Sequence, residues 1–179
     1  MLSEEKLIEG CTAGDRTAQR QLYEKYSPSL FALCLRYMQN REQAEDILVT
    51  GFMAIFEKIG TVREEGSLEG WMKKVMVHTA ISTIRANEMC YSLESDERVL
   101  SNAGIASSQN VTYSAIAVRD IMRQVRQLPD GCRTVFNLHE IEGYSYEEIT
   151  KILKINRGTV ASQIARAKKI LQEKLKGYR

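Results

Sequence analysis

Apolar residues recur along this chain at intervals of three and four, the period of an amphipathic helix, and hardly ever in the alternation that marks a strand. Ala44, Leu48, Gly51, Phe52, Ile55 and Ile59 follow that spacing, and so do Val77, Ala80, Ile81 and Ile84. Ile116, Val118, Ile121, Met122, Val125 and Leu128 are expected on one helix face. Val160, Ile164, Ala167 and Leu171 are expected on another. Capping signals stand at the starts of these stretches. Ser3 before Glu4 and Glu5, Asp15 after Gly14, Asn40, Ser67 and Asn156 each supply a side-chain oxygen for orphan amides. Ser27-Pro28 reads as a further start, since proline at a first helical position loses no hydrogen bond. Gly60 reads as a stop and Pro129-Asp130-Gly131 as a turn. Ser145-Tyr146-Glu147-Glu148 is a capping box. The fold class expected is all-α.

One stretch breaks the periodicity. Residues 91–112, rich in serine, asparagine and small residues, read as a linker, with an ordered surface loop as the alternative. A flexible segment of that length spans roughly 25 Å. The expected organisation is therefore two small helical domains, 1–90 and 113–179, joined by residues 91–112, the second a helix-turn-helix.

The net charge of +2 conceals a division between the halves. Residues 1–112 hold 12 Lys/Arg and 16 Asp/Glu, whereas residues 113–179 hold 13 and 7. Within 151–179 there are 9 basic residues and one acid, Glu173, which points to a polyanionic partner for that end. The 4 cysteines, Cys11, Cys34, Cys90 and Cys132, show no CxxC pair, and with only His78 and His139 as imidazoles no metal site is expected. The acidic start MLSEEKLIEG reads against a signal peptide, and no apolar run is long enough for a membrane span, so a cytoplasmic location without membrane insertion is expected.

Two short helices joined by a tight turn at Lys154-Ile155-Asn156, the second rich in cations, form the pattern of a helix-turn-helix. Ile149, Leu153, Ile155, Val160 and Ile164 would fix the angle between them. Arg157, Thr159, Ala161, Ser162, Gln163 and Arg166 are then expected on the exposed side of the second helix, where Arg, Ser and Gln can reach base edges. Lys151, Lys154, Lys168 and Lys169 suit phosphates. In the front half the helix opened by Ser67 is expected to reach about Asn87 and to be two-faced. Its polar stripe is Lys74, His78, Ser82 and Arg85, and Trp71 near its start is flanked by Lys73 and Lys74. An aromatic beside cations suits single-stranded nucleic acid. Trp71 as a core anchor and His78 as a surface residue are the competing reading.

These residues resemble a known family. Leu128-Pro129, Arg133-x-Val135-Phe136, Glu142-Gly143-x-Ser145, Glu148-Ile149, Gly158-Thr159-Val160 and Arg166-Ala167 are similar to the C-terminal domain of bacterial sigma factors of the extracytoplasmic-function group. Ala44-Glu45-Asp46-Ile47-Leu48 with Phe52, and Trp71-Met72 leading to Ala80 and Arg85, resemble that family's promoter-melting domain. The resemblance covers residues 5–88 and 113–176. It implies a dissociable subunit that gives core RNA polymerase its promoter recognition. The helix from Arg41 to Lys58 would dock on the polymerase through Glu45, Asp46, Val49 and Phe52. The loop Thr61–Gly66 and Trp71, Lys73, Lys74, His78, Ser82 and Arg85 would open the minus-ten element. Arg157, Thr159, Ser162, Gln163, Arg166, Lys168 and Lys169 would meet the minus-thirty-five element. Core polymerase and promoter DNA are the implied partners, an anti-sigma factor is a further one the resemblance admits, and no cofactor is implied. The chain departs from the family's habits in several places. Val49-Thr50 stands where Gln-Glu is frequent, His78 for an asparagine, Ser82 for an acid, Lys154 for the turn glycine and Ala161 for a basic residue.

Two rival classes share part of this pattern. A helix-turn-helix regulator with a helical sensor or dimerisation domain would explain the C-terminal signals but has no use for the stripe beside Trp71. An enzyme would need a catalytic constellation, and His139-Glu140 lacks a second histidine at metalloprotease spacing and no glycine-rich phosphate loop occurs.

Overall fold

The computed structural model describes residues 2–62, 67–91 and 113–175, with the side chains of 87–91 and 113–117 left aside. Every regular element among the described residues is helical. The chain divides into two compact units, Met1–Cys90 and Tyr91–Arg179. The expected linker lies almost wholly outside the described residues, as does most of the loop Thr61–Gly66.

The first unit holds α1 (Glu4–Thr12), α2 (Arg16–Tyr37), α3 (Arg41–Lys58) and α4 (Leu68–Tyr91). Ser3 Oγ accepts from Lys6 N, Asp15 Oδ1 from Thr17 N, and Asn40 Oδ1 from Gln43 N, so three of the expected caps are made. Ser67 Oγ accepts from Gly70 N at the start of α4. Leu7, Leu22, Leu30, Leu33, Tyr37, Ile55, Met72 and Met76 are almost fully buried and make the core between these helices. Each aliphatic side chain so buried contributes about 1.5–3 kcal/mol. At Gly51 a Cβ would collide with the Met76 thioether, so glycine leaves room for that side chain of α4 against α3.

Ser27-Pro28 does not open a helix. Pro28 lies inside α2, on its exposed side. The continuous inward stripe of Leu22, Tyr26, Leu30, Leu33 and Tyr37 holds the helix through it, at the loss of one backbone hydrogen bond. Gly60 sits within a 3₁₀ turn, Ile59–Thr61, after α3 has ended at Lys58. The helix opened by Ser67 runs past Asn87 to Tyr91.

The second unit holds α5 (Tyr113–Arg126), α6 (Asp130–Phe136), a π-helical turn (Asn137–Ile141), α7 (Tyr146–Leu153) and α8 (Arg157–Leu175). Val125, Leu128, Cys132, Ala167 and Leu171 form a core cluster, against which Phe136, Ile170 and Leu175 pack. Pro129-Asp130-Gly131 is no separate turn: Pro129 occupies the N-cap position of α6 and Asp130 begins it. The single inward face expected for α5 is also corrected. Val118 is 57% and Ile121 37% exposed, whereas Val125, farther along α5, belongs to the cluster.

Arg133, part of the Arg133-x-Val135-Phe136 motif, is buried at 2% exposure. Its guanidinium donates to the carbonyls of Arg126 and Leu128 and pairs with Asp130, so it satisfies the C-terminal end of α5.

Candidate functional site

The helix-turn-helix is assembled by local chemistry. Ser145 Oγ accepts from Glu148 N at 3.2 Å, and Glu148 Oε2 accepts from Ser145 N at 2.8 Å, completing the capping box of α7. Lys154 ends that helix in the left-handed region with φ 55°. Asn156 Oδ1 then accepts from Thr159 N at 2.8 Å and starts α8. Ile149, Val160 and Ile164 are buried between the two helices, while Leu153 and Ile155 remain half-buried.

This packing leaves Arg157, Ala161, Ser162, Arg166, Lys168 and Lys169 exposed along α8. Thr159 is half-buried and its hydroxyl donates to Asn156 Oδ1 at 3.1 Å. Ser162 Oγ donates to the Thr159 carbonyl at 3.0 Å. Gln163 departs from the exposed side assigned to it. It is half-buried, and its Oε1 accepts from Cys132 Sγ at 2.8 Å. The reason is angular: position 163 lies one turn from the buried Val160 and Ala167, so its side chain leans over α6.

Two cations of α8 are engaged by carboxylates of the preceding elements. Lys168 Nζ lies 2.8 Å from Glu140 Oε1, and Arg157 Nη1 lies 3.0 Å from Glu147 Oε1. The Glu140 contact raises the Lys168 ammonium above its ordinary range. The Arg157 guanidinium also stands 5.9 Å over the Tyr146 ring, which meets the His139 imidazole edge-on at 4.8 Å. His139 Nδ1 is 2.8 Å from the Tyr144 carbonyl. Sequence reading missed these pairs.

On α4 the two faces separate as the spacing requires. Leu68, Met72, Met76, Val77, Ala80 and Ile81 are buried, and Ile84 is half-buried. Lys74, His78, Ser82 and Arg85 are exposed along one stripe about 16 Å long. Trp71 is half-buried beside it, in keeping with both roles weighed for it. Lys73 Nζ is held 2.8 Å from Glu69 Oε1 on the same helix.

On α3, Glu45, Asp46 and Val49 are exposed, with Glu45 bridged to Arg41 Nε at 2.7 Å. Phe52 keeps the inward place its spacing marks, and the docking role implied by the resemblance is corrected. At 3% exposure it is a core residue, its ring 4.6 Å from that of Tyr23 and 5.9 Å from that of Phe56. The exposed apolar side chain near it is Met53, 68% exposed and one turn beyond Val49, itself 57% exposed. The signal for Met53 was an apolar residue standing off the inward stripe.

Among the described residues no cluster of metal-ligating side chains occurs, and no helix is long and apolar enough to cross a membrane. Cys11, Cys34 and Cys132 are buried free thiols, and burial pushes that of Cys34 up to about 12.

Comparison with known proteins bears on both units. Residues 22–89 match the family description "Sigma-70 region 2", and residues 118–171 match "Sigma-70, region 4". The chain is 26% identical to the ECF RNA polymerase sigma-E factor of Haemophilus influenzae, over 97% of this chain and 96% of that protein. It is 25% identical to the RNA polymerase sigma-H factor of Pseudomonas aeruginosa, over 96% and 93%. It is 26% identical to the ECF RNA polymerase sigma factor SigW of Bacillus subtilis, over 96% of each. Among solved structures, the sigma factor RpoE in complex with the anti-sigma factor NepR from Bartonella quintana shares the fold. Its TM-score is 0.60 at 23% identity, over 89% of this chain and 98% of that one.

Proposed function

The chain belongs to the sigma-70 family, in its extracytoplasmic-function group, and we propose that it acts as a dissociable subunit of RNA polymerase that selects promoters and helps to open them. The observation that supports this reading best is the union in one chain of a region 2 unit and a region 4 unit. A stand-alone helix-turn-helix regulator would leave the first of these without a task.

In this reading α8 enters the major groove of the minus-thirty-five element. Arg157, Thr159, Ser162 and Arg166 face base edges, and Lys168 and Lys169 face phosphates. The stripe of α4 serves the minus-ten element. Extruding a base costs a few kcal/mol. Stacking on Trp71 and contact with Lys73, Lys74, His78, Ser82 and Arg85 would offset that cost. Glu45, Asp46 and Val49 of α3 face the polymerase. The chain performs no chemistry of its own and needs no cofactor. It works in the cytoplasm, with core polymerase, promoter DNA and, as a further partner, an anti-sigma factor.

The test combines the chain with core polymerase on promoter templates. Lys74→Ala with Arg85→Ala is expected to leave the circular dichroism spectrum and polymerase binding unchanged while reducing permanganate-reactive thymines near the start site. Repression by the chain alone, with no promoter opened by any compatible core polymerase, would favour the regulator instead.

A further inference from the structure

Arg157 and Lys168, two cations assigned to DNA in the reading above, are not waiting for a ligand. Each already holds a carboxylate supplied from outside α8, Glu147 at 3.0 Å and Glu140 at 2.8 Å. We propose that Glu140 and Glu147 are affinity-setting residues that stand in for DNA in the free chain. A phosphate gains Lys168, and a base edge gains Arg157, only by displacing a carboxylate or by tolerating one beside it. This inference rests on the DNA-binding reading of α8.

The physical argument has two branches with the same sign. If the ammonium leaves Glu140 for a phosphate, the energy of the existing pair is lost. If it bridges both anions, carboxylate and phosphate lie within a few ångströms of each other and repel. Either way generic duplex affinity falls. Glu140 is the stronger brake of the two. It is 30% exposed against 61% for Glu147, so solvent screens its pair less. At the phosphate-facing Lys168 the cost does not depend on base sequence, so Glu140 lowers promoter and non-promoter affinity by one common factor. Its use follows from numbers of sites. Non-specific DNA competes in vast excess, and a chain with muted phosphate affinity stays available to the polymerase.

The test measures full-length chain binding to promoter and random-sequence duplexes over a salt series, by fluorescence anisotropy. Glu140→Gln is expected to tighten both duplexes, and Glu147→Gln chiefly the promoter duplex, by about two- to fivefold at low salt. The gain should fade as salt rises. In a Lys168→Gln background the Glu140→Gln gain should shrink to that of the bare charge change, read from the Glu173→Gln control below. Glu148, not Glu147, closes the capping box, so Glu147→Gln leaves that cap in place. A Glu173→Gln control carries the same charge change on α8 and should give a smaller gain. An equal gain from Glu173→Gln, persistence of the full gain without Lys168, or weaker binding by the Gln variants overturns the inference while the DNA-binding reading stands. A wild-type chain that ignores duplex DNA even at low salt overturns that reading and the inference together.

Discussion

The Cys132 thiol donates to Gln163 Oε1 across 2.8 Å, fastening α8 to the first turn of α6. The Gln163 amide also lies over Gly131, in ordinary contact with the position a Cβ would take there. A glutamine whose Oε1 is held in this way gives up that bond if it swings out to a base edge, and Cys132, at 1% exposure, is shut off from solvent.

Gln163→Ala is therefore expected to act through packing. It should lower stability by roughly 0.5–1.5 kcal/mol. Across a promoter panel it should weaken every member by about the same factor. Arg157→Ala and Ser162→Ala should instead change preference at single positions, by roughly 1–3 kcal/mol for a lost base contact. Urea melts and competition binding on the panel measure both effects. A Gln163→Ala change confined to one base position would return that side chain to the groove.

Lys154 carries the second prediction. Its φ of 55° makes it the one non-glycine residue in the left-handed region among the described residues. The family resemblance places a glycine there, and the turn geometry gives the reason: a Cβ crowds the neighbouring carbonyl in that conformation. Lys154→Gly is expected to stabilise by up to about 1 kcal/mol, offset in part by the greater freedom of glycine when unfolded. Lys154→Val should destabilise, since a branched Cβ fits that region worst. The urea midpoint should move in these opposite directions at an unchanged slope.

What was legible in the sequence was what neighbours in the chain decide. Ser3, Asp15, Asn40, Ser67, Ser145 and Asn156 cap their helices through side-chain bonds two or three residues on. Pro28 misled for the same reason: a local rule suggested a helix start, and the inward stripe from Leu22 to Tyr37 overrode it. Spacing also marked the faces of α4 and α8, but it could not say where a partner surface ends. That is why Val118 and Ile121 emerged exposed, whereas Phe52 is buried on the stripe its spacing marked and only the family resemblance gave it a docking role. Contacts between distant positions, such as Lys168 with Glu140 and Cys132 with Gln163, leave no periodic trace. Buried Arg133 belonged to a recognisable motif, yet only the fold reveals that it holds the end of α5.

The correction at Phe52 yields the last prediction, because it separates two kinds of loss on one helix. Phe52 packs on Tyr23 and Phe56 inside the first unit, so Phe52→Ala should cost about 3–5 kcal/mol of stability and impair everything downstream of folding. Val49 and Met53 stand one turn apart on the outer face, 57% and 68% exposed, in line with Glu45 and Asp46. Removing them leaves no cavity, and surface changes of this kind stay within about 0.5 kcal/mol. In the docking reading of α3 these two exposed apolar side chains would anchor the partner surface, and losing such anchors costs affinity rather than stability. Val49→Ser with Met53→Ser is therefore expected to weaken binding to core polymerase by about tenfold, the equivalent of roughly 1.4 kcal/mol. Its melting temperature and duplex DNA binding should match the wild type. Calorimetric titration against core polymerase, beside a thermal melt, measures the split. If the double variant binds polymerase normally, the docking face lies elsewhere on the unit, and Glu45 and Asp46 lose their assigned role with it.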